Sequence, residues 1–450
     1  MDKNNGAIYD ARKLGKPKMI ILGVQHMFAM FGATILVPIL TGLDISTTLL
    51  MAGLGTLLFH CITKFKVPAF LGSSFAFLGG YAAIKAFSPN DPNSMLPYAC
   101  LGVACAGLIY FILAAVIKAV GIEKVMRFFP PVVTGPIIIA IGLGLAPSAV
   151  SNCTTNWFLA VVALAVIVVF NIWGKGMAKI IPIILGLLIS YGTGLVLYFI
   201  SQANPDLIQN VPWLFSGGAD ANGVYQPIFD FTSLNTICDN ISKGHIFGSE
   251  GLIGIPIHWD KTVFGGIDYS NGALIASSII AIVPIAFATM MEHIGDICAI
   301  GSTTGNNYIK DPGLHRTLVG DGLATTLASL FGGPANTTYG ENTGVLALTR
   351  VYDPRVIRIA AYFAVAVSFF PIVSVIIGSI PSCIIGGISF VLYGMISAIG
   401  VRNVVENKVD FTKSRNLIVA AVILVCALGL SSDTVSFTIG SAAITLSPPR

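Results

Sequence analysis

Thirteen apolar stretches of about 20 residues run along this chain, with a shorter fragment after the last. About 20 apolar residues cross a bilayer as a helix. Backbone in lipid must satisfy its own polar groups, so the pattern predicts an all-α polytopic membrane protein. The predicted spans are Met19–Leu40, Thr47–Ile62, Val67–Ala86, Leu96–Val120, Phe128–Ala146, Trp157–Trp173 and Ile180–Ile200. A polar stretch, Ser201–Ser270, follows. The second set is Ala273–Ile300, Leu314–Phe331, Gly332–Leu348, Val356–Ile380, Cys383–Val401 and Leu417–Leu430, with the fragment Phe437–Leu446.

Charge supports this reading. Charged residues are 10% of the chain, against roughly 25% in soluble domains. The net charge of +4 is scattered rather than clustered, which argues against a nucleic-acid partner. The first residues lack a short apolar core with a small-residue cleavage site, so the first span is expected to serve as its own insertion signal. With the N-terminus cytoplasmic, 21 of the 25 Lys and Arg fall inside and only Lys85, Lys243, Lys261 and Arg450 outside. That asymmetry is a positive-inside signal. It predicts a multi-pass protein of the plasma membrane, with the Ser201–Ser270 loop outside.

Seven spans precede the loop and seven, counting the fragment, follow it. An odd unit inserts upside down the second time, which predicts two inverted seven-span repeats. They occupy residues 1–200 and 271–450, with the outer loop at 201–270. The closing sequence TIGSAAITLSPPR offers only about ten apolar residues, so the fourteenth span is expected to be incomplete. Six cysteines fall in or beside spans and are expected to act as small hydrophobes. Cys153 and Cys238 fall in outer loops, as two free thiols or a disulfide. No spacing suggests a metal site, and none implies a cofactor.

Two spans are broken, one in each half. VPAFLGSSFAF (Val67–Phe77) and GGPANTTYGENTGV (Gly332–Val345) each carry a Pro-Ala pair and then a Gly, Ser and Thr-rich break holding an aromatic. Paired broken segments in corresponding halves point to the substrate site of a secondary transporter. Backbone groups freed near Ser73, Ser74, Tyr339 and Gly340 need partners. Phe75 and Tyr339 can stack on a flat ring. A planar ligand with alternating donors and acceptors fits both features.

Acids inside spans cost roughly 2.5–3.5 kcal/mol each on insertion scales. Glu292 and Asp296 are four apart on one helix and share a face. Glu341 lies in the second break. Acids near a span end also cap helices or pair with loop arginines, but Lys85, Lys118, Arg316 and Arg358 all sit at the ends of spans. A desolvated carboxyl has a raised pKa and can carry a proton. The expected proton-coupling groups are Glu292, Asp296, His26 and Asp321. His26 also suits a packing role, Asp321 a supporting one, and His293 points away from Glu292 as helix–helix glue.

The motif ENTGVLALTR, Glu341 to Arg350, resembles the tenth-span signature of the nucleobase–ascorbate transporter family. QHMFAMFGATILVP, PAFLGSSFAF, DPGLHR and TYGEN are similar to its bacterial uracil permeases. The resemblance covers nearly the whole chain. It implies a core domain of spans 1–4 and 8–11, a gate domain of spans 5–7 and 12–14, and short antiparallel strands in spans 3 and 10. It implies ring stacking by Phe75 and ring hydrogen bonds to Glu292 and Glu341. The backbone of Tyr339 and Gly340, with Ser74, would add contacts, and Tyr393 matches a gate position near the site. The implied function is proton symport of a nucleobase, uracil favoured, by alternating access. A homodimer is compatible with it.

Asp296 stands where the uracil type carries His and resembles the purine type, whereas Glu341 replaces the purine type's Gln. Xanthine or another purine is therefore the alternative substrate. A channel is a rival within transport, although two dissimilar halves meeting at one site do not suggest a symmetric pore. No HExxH, GxSxG or paired Cys/His set supports an enzyme.

Overall fold

In a computed structural model, the structure describes residues 7–121, 124, 130–429, 435–439 and 442–446. The first half holds α1 (Lys16–Thr41), α2 (Ile45–Ile62), β1 (Leu71–Ser73), α3 (Leu78–Lys85), α4 (Leu96–Val120), α5 (Pro131–Cys153), α6 (Trp157–Trp173) and α7 (Pro182–Ala203). The second holds α8 (Gly272–Ile282), α9 (Ile285–Thr304), α10 (Leu314–Leu330), β2 (Asn336–Thr338), α11 (Gly340–Thr349), α12 (Pro354–Ser368), α13 (Pro371–Gly378), α14 (Ser382–Glu406) and α15 (Ser414–Gly429). The third span of each half opens with a short strand, and β1 pairs antiparallel with β2. Antiparallel pairing is what two copies inserted in opposite senses require.

Among the described residues, seven helices are long and apolar enough to cross a membrane, or eight counting the bent pair α12 and α13. Helix ends follow local chemistry. Asp44 caps α2 by accepting from Thr47 N at 2.7 Å, and Gly42 ends α1 in the left-handed region at φ 85°. Such caps satisfy groups that a helix end leaves unpaired.

Three expectations need correction. The predicted span Val356–Ile380 is two helices bent by 87°, because Pro371 has no N–H to continue the first. The polar segment Ser201–Ser270, expected as a loop, is structured, with helices Asp206–Asn210 and Thr232–Ser242 and a hairpin of Ser216–Ala219 with Tyr225–Pro227. The fragment read as an incomplete fourteenth helix is strand instead: β3 (Val435–Ile439) pairs antiparallel with β4 (Ala442–Leu446). Val-Ser-Phe-Thr-Ile alternates with the period of a strand and is rich in β-branched residues.

The chain packs as two units. One is Met1–Val125 with Ser233–Gly378, the other Met126–Thr232 with Ser379–Arg450. In the first, α10 crosses α4 and α2, and α12 lies on α2 and α1. In the second, α14 packs on α5 and α6, and α15 on α5.

Small residues set these crossings, as in other membrane bundles. A Cβ on Gly107 of α4 would overlap Thr326 Oγ1 and stand 2.7 Å from the Gly322 carbonyl oxygen of α10. Backbone cannot yield as a flexible side chain can. Gly107→Ala is therefore expected to cost about 1–3 kcal/mol by overpacking, seen as a lower melting temperature in detergent. An unchanged transition would show the crossing to be loose.

Candidate functional site

The two broken spans build the site's floor. Leu71, Gly72 and Ser73 pair with Thr338, Thr337 and Asn336. Ser74 N donates to Ala335 O at 2.9 Å, and Tyr339 N to Phe70 O at 3.0 Å. Backbone groups left over reach neighbouring helices. Leu71 N donates to Thr56 Oγ1 at 2.9 Å and Thr325 Oγ1 to Asn336 O, while the Asn336 side-chain Nδ2 donates to Met51 O at 2.7 Å. Strand at membrane depth survives because its polar groups are paired within protein.

Gly72 is required by a close approach. A Cβ there would lie 2.6 Å from Cζ of Tyr339. The Tyr339 hydroxyl donates to Ser73 O at 2.9 Å and accepts from Thr34 Oγ1 at 3.3 Å. Tyr339, whose backbone is expected to contact a ligand, donates its N–H to Phe70 O. Its ring and hydroxyl brace the strand pair, because the residue after a three-residue strand continues the ladder.

The acids lie beside this floor. Glu292 is exposed although it lies inside an apolar helix, α9, and a Cβ on nearby Gly295 would meet nothing within 4 Å. Asp296, one turn on, accepts from Thr338 Oγ1 at 3.0 Å. Its other oxygen lies 3.3 Å from where a Cβ on Gly340 would stand. Asp296 therefore sits where β2 passes into α11. Gly340 is exposed at that junction.

His293, assigned by sequence to helix glue, joins a buried polar chain. Its Nδ1 lies 3.3 Å from Thr338 Oγ1 and 3.4 Å from Asp321 Oδ1. Thr337 Oγ1 donates to the other Asp321 oxygen at 3.3 Å. Both His293 and Asp321 are fully buried. Asp321, His293, Thr338 and Asp296 thus link α10, β2 and α9. Sequence reasoning gave His293 a packing role between helices but named neither its link to Asp321 and Asp296 nor the threonine pair. Their signal was the placement of His293 three residues, nearly one turn, before Asp296, facing a Thr-Thr strand.

The remaining expected residues are placed as follows. Phe75 is half-buried in a 3-10 turn, Phe75–Phe77, packed against α9. Ser74 Oγ is buried and unpaired among the described residues, as are both side-chain amide atoms of Asn342. Buried polar atoms normally have partners, so these are available to a ligand or water. Glu341 lies in α11, but its side chain lies outside the described residues. His26 is fully buried in α1, and among the described residues neither of its ring nitrogens is hydrogen-bonded. Tyr393 is buried in α14, within the second unit. Among the described residues no three His, Cys, Asp or Glu are grouped to hold a metal ion.

Comparison with known proteins gives a consistent picture. The sequence model of a permease family matches residues 17–435. The uracil permease of Bacillus caldolyticus is 39% identical over 421 residues, 91% of this chain and 85% of that protein. The uracil permease of Bacillus subtilis (strain 168) is 38% identical over 423 residues, with the same coverage. Among solved structures, the transmembrane domain of a cyanobacterium bicarbonate transporter, BicA, matches with TM-score 0.64 at 13% identity. That match covers 94% of this chain and 97% of BicA's. SLC26A9 matches with TM-score 0.52 at 10% identity, over 93% of this chain and 63% of its own. At these identities the structural matches speak for the fold alone.

Proposed function

We propose that this chain, which belongs to the nucleobase–ascorbate transporter family, is a proton-coupled symporter importing a nucleobase, uracil before any other, by alternating access. It is a membrane transporter and not an enzyme. The observation that carries the reading is an exposed acid, Glu292, inside an apolar helix beside a strand pair that holds Asp296. A charge there is costly unless it faces a cavity or a partner. A flat ring with N–H and C=O on its edge can stack on Phe75 and bond to Glu292, Glu341 and the Gly340 backbone. Uracil is favoured because the relatives described above are uracil permeases.

Proton coupling is supported by the buried chain from Asp321 through His293 and Thr338 to Asp296. A carboxyl in such a place can take a proton on one side and release it on the other. Glu292 is the group through which ligand and proton meet. The two packing units are the bodies whose relative movement gives alternating access, the first acting as core and the second as gate. The N-terminus is cytoplasmic, on the charge asymmetry above.

Asp296 favours a second reading, a xanthine or other purine permease. Competition separates the two. Labelled uracil is exchanged across proteoliposomes against unlabelled uracil, xanthine or guanine. Displacement by uracil at the lowest concentration supports the first reading, and preferential displacement by xanthine or guanine overturns it.

A further inference from the structure

The segment ahead of α1 is bound into the first unit at several points. Ile8 lies parallel to Val351: its N–H donates to Arg350 O and its carbonyl accepts from Tyr352 N, both at 2.8 Å. The Tyr9 hydroxyl donates to Thr304 O at 2.7 Å, and its ring stands edge-on to Tyr352 at 5.5 Å. Ala11, fully buried, donates its N–H to Asp353 Oδ2 at 2.8 Å. Arg355 bridges Asp10 and Asp353, each at 3.1 Å. The hydrogen bond from Arg12 holds the Asp10 carboxyl well below the usual carboxylate range, so this joint stays ionised.

The helices at these anchor points are those that carry the site. Thr304 is the last residue of α9, eight after Asp296, or about 12 Å along the axis. Arg350 follows the last residue of α11, the helix of Gly340 and Glu341. It sits in the left-handed region at φ 54°, which turns the chain so that Val351 meets Ile8. At the site end, Thr338 ties Asp296 to the strand that leads into α11. At the far end, residues 8 and 9 tie the two helices through Thr304 and Arg350.

We propose that residues 7–14 are a clamp that fixes the end of α9 against the end of α11, and so positions the acids those helices carry. Binding groups must be held to about 0.5 Å to work, and a tilt of a few degrees over the length of α9 exceeds that. Tyr9 is the positioning residue, because its hydroxyl gives the segment a hydrogen bond to α9. The consequence for binding rests on the site proposed above.

The test uses the full chain with Tyr9→Ala and Tyr9→Phe. Hydrogen–deuterium exchange is read first, without substrate. Tyr9→Ala is expected to raise exchange at least about threefold in peptides covering 298–306 and 343–352, with α2 unchanged. Tyr9→Phe, which keeps the ring packing, should fall between it and the wild type. Unchanged exchange at both helix ends overturns the clamp. Equilibrium affinity for labelled uracil is read second, per folded molecule. Tyr9→Ala is expected to weaken it about three- to tenfold, with Tyr9→Phe recovering most of the loss. A role confined to folding would reduce the number of sites and leave affinity alone, and that result overturns positioning. A wild type that binds no uracil would refute the substrate reading, while the exchange arm still decides the clamp.

Discussion

Glu292→Ala is expected to lower uracil affinity by tenfold or more in equilibrium binding to purified protein. Glu292 is exposed on an apolar helix, on the same face as Asp296 and beside the open space at Gly295. On the reading above it accepts a ring N–H. A hydrogen bond to a charged group contributes about 1.5–3 kcal/mol, and each 1.4 kcal/mol is a factor of ten. Glu292→Gln keeps a carbonyl acceptor and loses the charge, so its affinity should lie between wild type and Ala. Gly295→Ala, which adds a methyl to open space inside a helix, should raise stability by up to about 1 kcal/mol. Near wild-type affinity in Glu292→Ala would remove the acid from the site.

Asp321 gives the second large effect, and its two variants separate structure from coupling. The carboxyl is fully buried, 3.4 Å from His293 and hydrogen-bonded to Thr337. Leaving a buried hydrogen-bond donor such as the Thr337 hydroxyl without its acceptor costs about 1–3 kcal/mol. Asp321→Ala should therefore melt at a clearly lower temperature and show little uptake per cell. Asp321→Asn keeps the shape and an acceptor for Thr337 but cannot titrate. It is expected to exchange labelled uracil across proteoliposomes while failing to accumulate it under a proton gradient. If Asp321→Asn accumulates uracil as the wild type does, Asp321 is no part of proton coupling.

Much of the fold was legible because lipid allows so few solutions. Apolar length located the seven or eight long apolar helices among the described residues, and the Lys/Arg asymmetry gave an orientation to test. The breaks at Gly72–Ser74 and Asn336–Tyr339 stood out because Gly, Ser, Thr and Pro interrupt otherwise apolar runs. Short antiparallel strands at these breaks came from the family resemblance rather than from spacing, and their pairing into one ladder is a finding of the structure. Two predicted elements failed for local reasons. The 87° bend at Pro371 lies inside a run whose apolar composition does not change. The final hairpin, β3 with β4, has the length of half a helix and the alternation of a strand, and hydropathy reports only the first.

Site legibility followed the same division. Glu292 and Asp296 could be found because a charge inside an apolar run is expensive. The bonds from Thr338 to Asp296 and His293 span more than 40 residues, and the Tyr9 bond to Thr304 spans 295. Local pattern carries no information at such separations. His293 was read from its neighbour, Glu292, whereas its partners come from β2 and α10. The ring of Tyr339, expected to stack on a flat ligand, also braces the strand pair, because its hydroxyl donates to Ser73 O.

The central claim is that this chain couples nucleobase entry to protons. The most direct measurement is accumulation of labelled uracil by proteoliposomes holding the purified protein, with an imposed inward proton gradient and no sodium. Accumulation above the outside concentration, abolished by a protonophore and by excess unlabelled uracil, is the predicted result. Uptake that needs sodium at fixed pH, or that ignores the protonophore, would contradict the account.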